Sequence, residues 1–239
     1  MWRITAFLKR HPGLTRKEFI LQAEALMTRI ADHRGAPVRV ILNLPMDPLP
    51  VELATMFGDR FDAVVELWFA DAPSANAALA QLAADEAIGA LAASAIDQGG
   101  SHAWLAEVVP QIPPPPAFLK FVVAGQMADN FTLAEAQEYW RTEHPRLFLT
   151  VTDFVPYIVG YTQMHGRNEL APGAIDWLAA HDFYPMCAEM GLRSVEDVVT
   201  AYSMPSYLAI IRPDEEYFSK PGEMLSFASD RALAWDQGG

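Results

Sequence analysis

The chain has 239 residues, 51% apolar and 20% charged, an ordinary globular balance for one large or two small domains. No apolar run approaches the ~18 residues that cross a bilayer, and Lys9 and Arg10 interrupt the N-terminal stretch before a secretory core forms. A net charge of −13 and a single cysteine, Cys187, leave no basic stripe for nucleic acid or an anionic membrane surface, no disulfide framework and no Cys-rich zinc site. A cytoplasmic protein with no nucleic-acid or membrane partner is the expectation.

In chain order, the apolar patterning predicts strand Trp2–Lys9, helix Arg16–Ala31, strand Val38–Leu44, a short helix Val51–Gly58, strand Ala63–Phe69, helix Ser74–Ala93 and strand Ser101–Val109. Then comes Pro113-Pro114-Pro115-Pro116, which can neither continue a helix nor donate to a sheet and so reads as a stiff connector. Beyond it the pattern predicts strand Phe118–Ala124, helix Leu133–Leu149, strand Tyr157–Met164, an inserted helix Asp176–Gly191, strand Val198–Met204, and helical pieces over Ser206–Ile211 and Glu223–Ala234.

The two halves start alike. Thr15 with Glu18 and Thr132 with Glu135 form Thr-x-x-Glu capping boxes in register, each after a strand and each preceded by an apolar residue, Leu14 or Phe131. The order βαββαβ is the split ferredoxin-like motif. The expected fold is therefore α+β: two tandem ferredoxin-like units packed sheet to sheet as a pseudo-dimeric α/β barrel. Unit one spans residues 1–112, the linker 113–117, and unit two 118–239 with an insertion at 167–197. Ala95-Ile96-Asp97-Gln98-Gly99-Gly100 is echoed by Ala234-Trp235-Asp236-Gln237-Gly238-Gly239. On that alignment the fourth strand of unit two is missing.

The best chemical cluster is Tyr139-Trp140-Arg141-Thr142-Glu143-His144-Pro145. Trp140 and His144 share a helix face at i and i+4. Pro145 should loosen the helix at His144, and the negative end of the helix dipole favours a proton there. Such an imidazole suits proton transfer near neutral pH, with Glu143 beside it to orient it; a plain helix cap paired with Glu143 or a carbonyl is the alternative. In unit one, Met27 stands opposite His144 and Ala23 opposite Trp140, so a single site in unit two is expected. On the strand that follows, Tyr161, Gln163 and His165 alternate onto one face. His181, Asp182, Tyr184 and Cys187 fall in the inserted stretch, which reads as a lid or a packed surface helix.

Residues 7–19 (FLKRHPGLTRKEF), 61–69 (FDAVVELWF) and 139–147 (YWRTEHPRL) resemble the EthD family of the dimeric α/β-barrel superfamily. The resemblance implies a ferredoxin-like barrel with a pocket between sheet and helices, and it adds Trp68 as a candidate substrate contact. It fixes no reaction: such barrels include cofactor-free decarboxylases, cyclases, isomerases and monooxygenases, and also haem proteins.

No nucleotide fingerprint, nucleophile elbow or zinc motif is present in the sequence. The expectation is a cofactor-independent, lyase-type enzyme acting on an aromatic or polyketide-like small molecule by decarboxylation or C–C or C–O cleavage. His144, Glu143 and Tyr161 are the catalytic candidates. Arg141, Trp140, Tyr139, Gln163, His165 and Trp68 are the substrate contacts. A cofactor-free monooxygenase, a haem-binding barrel and a non-catalytic binder are the alternatives, and a homodimer is an allowed assembly.

Overall fold

The structure, a computed structural model, describes residues 1–58, 60–115 and 118–236. Pro116 of the linker and the Gln237-Gly238-Gly239 end of the expected repeat lie outside them.

Unit one runs β1 (Trp2–Leu8), α1 (Arg16–Ala31), β2 (Arg39–Pro45), α2 (Val51–Phe57), β3 (Ala63–Phe69), α3 (Ala72–Ala83), α4 (Glu86–Ala95) and β4 (His102–Ile112). The single helix expected over 74–93 is two. The Asp85 carboxylate accepts from the Ala87 and Ile88 N–H groups, capping α4 and turning the chain. Unit two runs β5 (Leu119–Met127), α5 (Leu133–Phe148), β6 (Gly160–Arg167), a two-residue β7 (Ala180–His181), β8 (Met186–Leu192), α6 (Val195–Ser203), a π-helical turn Tyr207–Ile211, α7 (Arg212–Phe218) and β9 (Ser219–Asp236). Both capping boxes form as the sequence predicts, Thr15 with Glu18 and Thr132 with Glu135.

The strands hydrogen-bond in the order β1-β3-β2-β9-β5-β8-β6-β4, and pairing of β4 with β1 closes an eight-stranded antiparallel barrel, with β7 appended to β4. Within each unit the order is that of a ferredoxin-like sheet. The units are joined at two seams, β4 against β6 and β9 against β2, so each unit's fourth strand pairs with the other unit's second. Side chains alternate between the helix-covered outside and the lumen. On the outside, Ile4, Ala6, Leu8, Val65 and Leu67 pack under α1, α3 and α4. In the lumen, one half is filled by Phe7, Val64, Trp104, Val122, Met164, Cys187 and Phe227.

Several expectations are corrected. The fourth strand of unit two is present: it is β9, which covers the 223–234 stretch expected to be helical. Leu225, Phe227 and Ser229 alternate inward along it, a period of two that the alanine-rich run masks. The Ala-x-Asp-Gln-Gly-Gly echo is therefore not a structural repeat: in unit one it precedes β4, whereas Ala234–Asp236 end β9. The expected inserted helix 176–191 is instead a turn-rich connection followed by β7 and β8, and the expected strand 198–204 is part of α6, started by the Ser194 cap on Asp197 N–H.

Candidate active site

Helix α5 buries Ala136, Trp140, His144 and Phe148, one residue per turn, against the outer face of the unit-two sheet. The helix does not stop at Pro145; it continues to Phe148, so the expected loosening at His144 does not occur. His144 is 5% exposed and Trp140 3%. Helix α7 crosses behind them and delivers Asp214. Its Oδ2 lies 2.6 Å from His144 Nδ1, and its Oδ1 accepts the Tyr139 hydroxyl. Burial pushes the Asp214 carboxyl up, but the hydrogen bonds from His144 and Tyr139 outweigh it and hold the group below its ordinary value. An ionised carboxylate only accepts, so Nδ1 supplies the hydrogen of this bond, and in a neutral ring the lone pair is on Nε2.

His144 also lines a cavity of about 490 Å³ between α5, α7, the π-helical turn and the sheet. Its wall is mostly apolar: Trp140, Phe148, Phe154, Met186, Met190 and Phe218. Polar groups interrupt it besides His144 itself, among them Tyr161, Tyr207, Arg212, Glu215 and Glu216. The Tyr161 oxygen accepts from Gln163 Nε2 at 3.0 Å and is also hydrogen-bonded by the Trp140 side chain, so the phenolic hydrogen remains to be donated. The His144 and Tyr161 ring centroids are 6.3 Å apart. Glu215 lies beside Asp214 in sequence; burial pushes its carboxyl above the ordinary value, against the bond from the Tyr207 hydroxyl at 2.8 Å. Arg212, at the cavity wall, is paired with Glu216 at 2.8 Å. The site thus holds one carboxyl biased to ionise and a neighbouring one biased to stay protonated.

The predicted residues separate into groups. His144, Trp140 and Tyr161 line the cavity. Tyr139 lies behind it, on Asp214. Glu143 does not orient His144: it is exposed and binds Arg146 at 2.7 Å, because its position on the helix turns it to solvent. Arg141 bonds Glu107 at 3.2 Å and does not reach the cavity. Gln163 sits beneath the wall, donating to the Trp140 carbonyl at 2.6 Å. His165 is fully buried under the Trp140 ring, 4.8 Å between centroids, with Nε2 at 3.0 Å from Gln163 Oε1; burial brings it down to about 3, so it is neutral. Trp68 is on the barrel's other side, its indole N–H donating to Glu66 at 3.0 Å. Sequence reasoning missed Asp214, Glu215 and Tyr207. The signal available was Arg212-Pro213-Asp214-Glu215-Glu216, proline and acids in a helix's first turn.

Among the described residues no group of three or more His, Cys, Asp or Glu side chains could hold a metal ion. His144 is the one imidazole on the cavity wall and would be the protein's nitrogen ligand to any haem iron there.

Residues 128–222 match the EthD domain. That span holds α5, β6, β8 and α7, and so every residue of the His144–Asp214 pair and its donors. Two solved structures align over the whole chain. An anthrone oxidase-like protein has 8% identity, covers 100% of this chain and 93% of its own, and gives a TM-score of 0.63. A protein of Fusobacterium nucleatum subsp. nucleatum ATCC 25586, provisionally assigned as a monooxygenase, has 9% identity, covers 100% and 94%, and gives 0.54. At these identities the likeness is one of fold. No curated protein matches the chain. No helix among the described residues is long and apolar enough to cross a membrane.

Proposed function

We propose that the chain is an enzyme that takes a proton from a small aromatic or polyketide-like carbonyl compound and then cleaves a C–O or C–C bond, a lyase-type reaction. The observation that carries this reading is the hydrogen bond between His144 and Asp214 at the wall of an apolar cavity. Asp214 fixes the tautomer, and His144 Nε2 accepts the proton. The electron pair left on the substrate moves to its carbonyl oxygen, where the Tyr161 hydroxyl donates to the growing negative charge. Glu215, whose carboxyl burial pushes above its ordinary value, gives its proton to the departing oxygen from its protonated form. The surrounding aromatic rings make the cavity wall largely apolar, which strengthens each of these hydrogen bonds.

A second reading is favoured by the designations of the two fold neighbours, one oxidase-like and one provisionally a monooxygenase. The same deprotonated substrate, if electron-rich, could pass electrons to O₂ without a cofactor. The two readings share their first step, so the test begins there. Anthrone and hydroxylated tetralones are incubated in D₂O, and exchange of the acidic C–H is followed by NMR. The expected result is exchange that His144→Ala abolishes in a folded protein. Undiminished exchange by that variant, or none by the wild type across the panel, rejects proton abstraction by His144. Oxygen uptake in step with product formation then assigns the monooxygenase; product without uptake assigns the lyase.

A further inference from the structure

The half of the lumen away from the aromatic cluster is polar and hollow. It holds a cavity of about 800 Å³ that the site above does not share. Four charged side chains meet in it. Arg3 Nη1 is 3.0 Å from Glu66 and 2.8 Å from Glu189; Lys120 Nζ is 2.6 Å from Glu66 and 3.3 Å from Glu189. Burial alone would push the Glu66 carboxyl up, yet Arg3 and Lys120 bring it down to about 2, so Glu66 is ionised near neutral pH.

Two atoms in this network have no partner among the described residues. One is Arg3 Nη2, on a side chain with no exposed surface; the other is Asn43 Oδ1, on a residue equally buried. Both residues line the cavity. An unpaired donor on a buried cation and an unpaired buried carbonyl each weaken the fold if nothing binds them. Their chemistry is complementary to a molecule that brings an acceptor and a donor together. The wall as a whole carries Arg3, Arg39, Lys120 and Arg231 against Glu66, Glu189 and Asp230. It is thus cationic by one charge, in a chain whose net charge is −13. The helix-side cavity, with Arg212 against Glu215 and Glu216, has no such surplus. Exposed Arg39, Asp230 and Arg231 mark the solvent side of the hollow, and Pro113–Pro115 of the linker also line it.

We infer that this end of the barrel is a second ligand site, for a small hydroxy acid: its carboxylate on Arg3 Nη2 and the remaining Lys120 N–H, its hydroxyl donating to Asn43 Oδ1. The inference does not depend on the proposed reaction. Calorimetry compares lactate with propionate and salicylate with benzoate on the intact protein. Saturable binding of the hydroxy acids, at least about tenfold tighter than their deoxy partners, is expected. Asn43→Leu should erase that difference, and Lys120→Met should weaken both members of each pair. His144→Ala should bind as the wild type does, which separates this site from the other. A crystal soaked in salicylate needs no variant and should place the carboxylate at Arg3. Water alone at Arg3 Nη2 in that crystal, equal binding of hydroxy and deoxy acids, or loss of binding in His144→Ala overturns the inference.

Discussion

His144 and Asp214 lie 70 positions apart in sequence, on helices α5 and α7, and their side chains meet at 2.6 Å with both carboxylate oxygens of Asp214 engaged. The imidazole has one nitrogen committed to a carboxylate, and its residue lines a largely apolar cavity. Everything proposed for the reaction depends on that division of labour within one ring.

Asp214→Asn tests it most directly. The amide can donate to Nδ1, which moves the hydrogen to Nε2 and removes the base from the cavity. Turnover and C–H exchange should both fall by roughly 10²–10⁴-fold with the fold intact. Glu143→Gln, at a side chain that bonds Arg146, should leave both unchanged. The pair of kinetic measurements checks which carboxylate orients the histidine.

Glu215→Gln should uncouple the two halves of the reaction. Proton abstraction measured as exchange should persist within about threefold, while product formation drops roughly 10²-fold for want of the acid. In the wild type, activity should fall as pH rises through the raised value of Glu215, since only its protonated form donates. That alkaline limb should be absent from the pH profile of the Glu215→Gln variant.

His165 makes stability depend on pH. Its value falls from 6.5 to about 3 on burial, so the unfolded chain takes up a proton that the folded one refuses. This contribution is fully present above pH 6.5 and is lost as pH falls toward 3. The slope is at most about 1.4 kcal/mol per pH unit. Urea midpoints of the wild type should drop across that window, and more steeply than those of His165→Phe.

Met27 occupies in unit one the helix position that His144 holds in unit two, and it is fully buried in the apolar core. Met27→His should therefore build no second site. It should cost roughly 2–4 kcal/mol by burying an imidazole among aliphatic groups, read as a lower urea midpoint with unchanged turnover.

Local signals made much of the fold legible in the sequence. The paired capping boxes fixed the starts of α1 and α5, and the prolines after Ile112 fall between β4 and β5. His144, Trp140 and Tyr161 were legible because helix and strand periods place them on faces. Asp214 was not: its role exists only through α7 crossing α5, a long-range packing that no local pattern encodes. Glu143 misled for the converse reason. Adjacency in sequence turns two helical side chains about 100° apart, so a neighbour along the chain is a poor partner in space. Strand β9 was hidden because Ala-Leu-Ala-Trp suits either period, and pairing with β2 and β5 decides between them.

That strand has a consequence for how the molecule comes into being. Residues 219–229 of β9 pair with β5 of its own unit, and residues 229–236 pair with β2, nearly two hundred positions earlier. A ribosome must therefore finish almost the entire chain before the cylinder can shut, and until then β2 waits with an open edge. Such distant pairing is slow to find. Nascent chains arrested before β9 emerges should be the species that chaperones hold, and protease resistance should arrive abruptly when the eighteen residues of β9 are released.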